Sequence, residues 1–138
     1  MNRIKAMKRV LVLVAALSSL ALAGVVAVAV AHTVRHPTTV TIHVKKGNAH
    51  KPGSFDGKVT SDTPRCEVGR TVALRMGEST TVLVGTATTD AKGDWALQLT
   101  GAAQPGNYHA VARRKVLRKN SHHVHICKKG ISPSVTVK

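Results

Sequence analysis

With 138 residues there is room for one small domain, and a net charge of +15 excludes an acidic or charge-balanced surface. Aromatic residues make up 2% of the chain, which excludes a platform of stacked rings for single-stranded nucleic acid. No G-x-S-x-G, H-E-x-x-H or phosphate-loop motif occurs, so no nucleophile–base–orienter set is in view and the chain reads as non-enzymatic.

Residues Met1 to Arg9 carry Arg3, Lys5, Lys8 and Arg9 and no acid, and Val10 to Ala31 then runs without a charge. A basic start, an apolar run and small residues at its end describe a secretory signal. Small-x-small triplets fall at Ala21-Leu22-Ala23, Ala27-Val28-Ala29 and Ala29-Val30-Ala31, and cleavage after Ala31 is expected because polar sequence begins at His32. The alternative is an uncleaved anchor over 10–31, long enough for the ~20 residues of a membrane helix. Either way, residues 32 onward are expected outside the cytoplasm, secreted or in the cell envelope.

Residues 32–54 are expected to form a basic segment or linker. Thr38 to Val44 alternates, with Val40, Ile42 and Val44 on one face, and is either an edge strand or part of a stalk; Lys45 to Ser54 has linker composition. Residues 55–138 are expected to form the folded domain. Phe55, Gly57 and Val59 share a face. So do Val72, Leu74 and Met76, then Trp95, Leu97 and Leu99, then Tyr108, Ala110 and Ala112, and finally Val135 and Val137. Gly85 within the Thr- and Val-rich run Thr80–Thr89 marks a bulge or a close approach. The stretch Thr89 to Trp95 reads as a hairpin, with Asp90 bonding the turn backbone and Gly93 at positive φ. Short strands separated by turns every 8–12 residues, with no 3.6-residue period after residue 31, predict an all-β fold of about seven strands, a sandwich or barrel. Phe55, Trp95 and Tyr108 all fall on inward phases and are expected in the core.

All six acids lie between Phe55 and Trp95, which leaves both flanks purely basic. Two cysteines in an exported domain point to one Cys66–Cys127 disulfide, with two free thiols as the alternative. Arg113, Arg114, Lys115, Arg118, Lys119, Lys128 and Lys129 surround a histidine-rich run and form a candidate polyanion-binding patch. If 113–119 and 123–129 are the arms of a hairpin, their charges lie side by side. The expected partners are anionic cell-wall polymers or a membrane surface, with no sequence-specific nucleic-acid binding. High charge that only keeps the chain soluble is the plainer reading. His122, His123 and His125 are candidate metal ligands, and a metal-binding exported protein is the second reading, although same-face side chains on a strand stand nearly 7 Å apart, more than is ideal for one tetrahedral ion. No cofactor is expected. A third reading is a carbohydrate-binding module with an exposed ring. Oligomeric state is not readable from these residues.

The order of short motifs carries a resemblance. F-x-G-x-V-x-S from Phe55, C-x3-R-x-V-x-L from Cys66, V-G-x4-D-x2-G-x-W-x-L from Val84, P-G-x-Y-x-A from Pro105, a late Cys127 and the closing Ser134 to Val137 resemble secreted actinobacterial proteins. Their domain is similar to transthyretin-like and carboxypeptidase-regulatory-like (Ig-like) β-sandwiches. The resemblance spans Phe55 to Lys138. It implies a seven-stranded Greek-key sandwich whose role is accessory, adhesive or unknown, with no catalytic residue. It also implies that Cys66 and Cys127 are the family's paired cysteines. The long basic, histidine-rich segment before Cys127 departs from that pattern.

Overall fold

The computed structural model describes residues 32–118, 120 and 122–138. The expected export segment over 1–31 and the candidate residue Lys119 lie outside the described residues. What is described is all-β. Strands β1 (His32–His36), β2 (Thr38–Val40), β3 (His43–Lys45) and β4 (Ser54–Ser61) precede a 3-10 turn at Pro64–Cys66. Then follow β5 (Thr71–Met76), β6 (Val82–Thr88), β7 (Asp94–Gln98), β8 (Gly106–Ala112), β9 (Lys115–Arg118), β10 (His123–Cys127), β11 (Gly130–Ile131) and β12 (Val135–Val137). No helix among the described residues is long and apolar enough to cross a membrane.

Two larger sheets share one core. In the first, β4 is central, flanked by β7 on one side and by β2 and β3 on the other. Strands β2 and β3 keep one register along β4, pairing Val40 with Val59 and His43 with Asp56, so they are a single strand interrupted at Thr41. The interruption has a local cause: the Thr41 hydroxyl accepts the Lys58 N–H at 2.9 Å. Thr38–Val44 is thus an edge strand, with Val40 buried and Ile42 and Val44 packed against the core. In the second sheet the order is β11, β8, β5, β6, and β12 also pairs with β8. Ser132 separates β11 from β12, its hydroxyl accepting the Ala110 N–H at 2.8 Å.

The inward phases expected from alternation fill the core. Phe55, Val59 and Trp95 from the first sheet meet Val72, Leu74, Tyr108, Ala110 and Ala112 from the second. The Phe55 and Tyr108 rings lie 4.7 Å apart, and Tyr108 donates its hydroxyl hydrogen to the Gln104 carbonyl at 2.7 Å, so its polar tip is satisfied. Burying a ring of this size stabilises the fold by about 3 kcal/mol.

Gly85 combines both roles foreseen for it. The β5–β6 register shifts beside it, and a Cβ there would stand 2.9 Å from the Leu97 side chain. Asp90 accepts the N–H groups of Lys92 and Asp94, which hold its carboxyl below the usual carboxylate range, and Gly93 has φ 81. The Thr89–Trp95 stretch is not a hairpin, however. Strand β6 pairs with β5 and β7 pairs with β4, so this turn carries the chain from one sheet to the other. Local turn chemistry is the same in both cases; only the distant partner strands differ.

Gly57 sits where β4 passes under the Thr41 carbonyl, and a Cβ there would collide with that oxygen and stand 2.8 Å from the Trp95 indole nitrogen. Gly57→Ala is therefore expected to lower stability by about 3 kcal/mol, read as an earlier urea midpoint at unchanged m-value. An unchanged midpoint would mean that this close approach relaxes freely.

Candidate functional site

A third sheet stands beside the two that share the core. Strand β10 is central, antiparallel to β9 and parallel to β1. The basic hairpin foreseen from the sequence is thus formed by β9 and β10, with Cys127 opposite Lys115 and Val124 opposite Arg118. Strand β1 adds Arg35 and two further histidines from a segment read as linker. Four of the five β1 residues are exposed.

At its inner end the hairpin is fastened twice. The Cys66–Cys127 disulfide joins it to the 3-10 turn, with Cα atoms 5.3 Å apart and both cysteines fully buried. No free thiol remains, so the alternative of two free thiols fails and neither cysteine offers a thiolate to a metal. A disulfide of this kind fits an oxidising compartment.

The second fastening is Arg70, whose side chain is 0% exposed. All five guanidinium donors are used. Nε and Nη2 donate to the Arg113 carbonyl at 3.1 and 2.7 Å, Nη2 to the Lys128 carbonyl at 2.9 Å, and Nη1 to the Cys66 carbonyl at 2.6 Å and the Thr38 hydroxyl at 3.2 Å. Among the described residues no carboxylate pairs with it. Burial lowers the guanidinium pKa from its ordinary value, but an arginine of this kind stays charged at neutral pH. One buried cation therefore ties together the start of β9, the end of β10, the 3-10 turn and β2.

This clamp gathers the basic residues. Arg113 and Arg114 precede β9, Lys128 and Lys129 follow β10, and all four are exposed. Because Arg70 holds the carbonyls of Arg113 and Lys128, the backbones of the two cationic pairs converge on one guanidinium. Lys115 is half-buried and donates to the Val68 carbonyl at 2.7 Å. Beside it an open cleft of about 410 Å³ is lined by Pro64, Arg65, Val68, Lys115 and Leu117, which brings Arg65 to the same side. Arg118 lies at the outer end of the hairpin, away from the four.

The acids are engaged elsewhere: Asp56 with His43 at 3.7 Å, Asp94 with Lys58 at 3.3 Å, and Glu67 with the Ser61 N–H at 2.9 Å. Asp62 is the acid that reaches the third sheet, where it meets His36 at 2.6 Å.

The three candidate metal ligands are not brought together: His122 is exposed ahead of β10, and His123 and His125 lie on it. His125 is engaged with His36, Nδ1 to Nε2 at 2.8 Å, and His123 lies against His32 with ring centroids 6.1 Å apart. No cluster of three or more metal-ligating side chains occurs among the described residues. The carbohydrate reading needed an exposed ring, but Phe55, Trp95 and Tyr108 are 0%, 3% and 2% exposed, so none presents a face to a sugar. Their inward phases fill a small core that has no other large ring. A second cleft of about 430 Å³, between Val84, Leu97, Leu99 and Tyr108, brings together no acid–base pair.

Sequence reasoning missed Arg70, Arg65, His36 and Asp62. Arg70 had a signal: it stands two residues before Val72, on the inward phase, where a cation is out of place. His36 and Asp62 had none, because only the parallel docking of β1 joins them to β10. The chain matches no family model, no curated protein and no solved structure.

Proposed function

We propose that this chain is an exported, non-enzymatic binding module of the cell envelope or extracellular space, and that its basic hairpin holds anionic polymers. The observation that carries the reading is the quartet Arg113, Arg114, Lys128 and Lys129, exposed and flanking backbone carbonyls that the buried Arg70 holds in place. Cations carried on a backbone held in place lose less freedom on meeting a phosphate or carboxylate polymer than cations on a mobile tail, so more of their attraction survives as affinity. The disulfide and the expected signal over 1–31 support an extracytoplasmic site of action. If β2 with β3 and β11 with β12 are each counted as one interrupted strand, the two sheets that share the core have three and four strands, and a seven-stranded sandwich of the transthyretin-like kind is the reading we propose for them, with the third sheet outside that count.

Retention on a glycerol-phosphate polymer tests the reading. Binding is expected to weaken with salt with a log–log slope of about −3, the value for about four contacts to a flexible polyanion. Replacing Arg113, Arg114, Lys128 and Lys129 with glutamine is expected to abolish that slope while leaving the urea midpoint unchanged, since only exposed side chains are altered. Salt-independent retention, or full retention by the variant, overturns the reading.

A further inference from the structure

Strand β1 is fastened in an unusual way for an edge strand. Val34, its central apolar residue, is 43% exposed, so no buried apolar side chain anchors it. Its main chain bonds β10 along His32–His36, ending in the Lys128 N–H to His36 carbonyl bond at 2.9 Å. The side chain that turns inward is His36, 12% exposed, and it joins a chain of three titratable groups. Asp62 Oδ1 lies 2.6 Å from His36 Nδ1, and His36 Nε2 lies 2.8 Å from His125 Nδ1. The two rings are 10° from parallel with centroids 5.1 Å apart; with that N···N separation they meet edge to edge in one plane, not face to face.

The proton count follows from which atoms can donate. A carboxylate only accepts, so His36 Nδ1 carries hydrogen toward Asp62. In a neutral His36 ring, Nε2 then holds a lone pair, and His125 Nδ1–H donates to it. One further proton can enter at His125 Nε2 without breaking either bond. A second cannot. With both rings cationic, His36 Nε2 and His125 Nδ1 both carry hydrogen, no lone pair lies between them, and two like charges face each other at hydrogen-bond distance.

We propose that Asp62, His36 and His125 form a proton-operated clasp that keeps β1 on β10 at neutral pH and releases it when both imidazoles are charged. The clasp does not depend on what the basic hairpin binds. Its surroundings favour release once the rings charge. His32, His123 and Lys115 share its face of the sheet, and Arg35 and Arg118 lie on the opposite face. The buried Arg70 guanidinium lies beneath, bonded to the Lys128 carbonyl. Asp62 opposes release, and Glu67, on the same side, already accepts the Ser61 N–H. The His32–His123 pair adds a second like-charge contact at the exposed end when protonated. Release would free the strand that directly follows the apolar run ending at Ala31 and uncover one backbone edge of β10.

Hydrogen–deuterium exchange on the full chain, as protection factors corrected for intrinsic rate, tests this. Protection of the β1 amides is expected to fall about tenfold or more between about pH 7.5 and about pH 5, while β5 and β8 hold theirs. His125→Phe, which keeps a flat ring without a proton site, is expected to leave β1 protection independent of pH over the same range. His32→Gln, at the exposed pair, is expected to keep most of the response. Flat β1 protection in the unmodified chain overturns the clasp. An undiminished fall in His125→Phe overturns it equally, as does a response that vanishes with His32→Gln alone.

Discussion

Arg70→Met is expected to destabilise the folded chain by about 3–5 kcal/mol, the cost of removing one partner from a buried, charged hydrogen-bond network. Methionine has comparable length and packs well in apolar surroundings, so little of the loss comes from an empty volume. The loss comes from the carbonyls of Cys66, Arg113 and Lys128, which keep their positions and lose their donors. Urea unfolding followed by the single, buried Trp95 measures it. A change below about 1 kcal/mol would mean that water replaces the guanidinium at no great cost. Arg70→Lys is expected to recover little, because one ammonium with three donors cannot span acceptors on four separate segments. In the same variants the salt slope on a polyanion is expected to shrink even though Arg70 touches no polymer, since the hairpin base that it orders becomes mobile.

Removing the disulfide by Cys66→Ala with Cys127→Ala is expected to cost about 4 kcal/mol, mainly by restoring freedom to the unfolded chain across a separation of 61 residues. A domain this small has little reserve against such a loss. Both cysteines are fully buried, so reduction of the native protein is expected to be slow without denaturant and fast with it. Intact-mass measurement with alkylation follows this directly. Rapid labelling of the native protein would show that the third sheet opens without global unfolding. Because Arg70 Nη1 bonds the Cys66 carbonyl, the two losses are coupled. The triple variant is expected to lose less than the sum of the two, since the second change acts on a region the first has already loosened.

Much of the core was readable residue by residue. Phe55, Val59, Val72, Leu74, Trp95, Tyr108, Ala110, Ala112 and Val137 were placed inward by alternation alone and are all buried. The two-residue period of a strand is a local property, and a face that must leave water writes itself into consecutive side chains. The Asp90–Gly93 turn was readable for the same reason: its hydrogen bonds span no more than four residues. Where that turn leads was not readable, because sheet membership depends on strands far away in the chain.

The sequence by itself determined an all-β chain with period-two burial and a charge distribution with basic flanks and every acid in the middle, and it left open whether two cationic runs form a hairpin, which the β9–β10 pairing answers. Tertiary structure decided how those charges are held. It buried Arg70 under the hairpin with all five donors satisfied, brought Asp62 and His36 to His125, and added β1 to the sheet in parallel. Each of these depends on contacts between residues 26 or more positions apart, and such pairings follow from how whole sheets pack and which strand edges remain open. No local period or spacing encodes them.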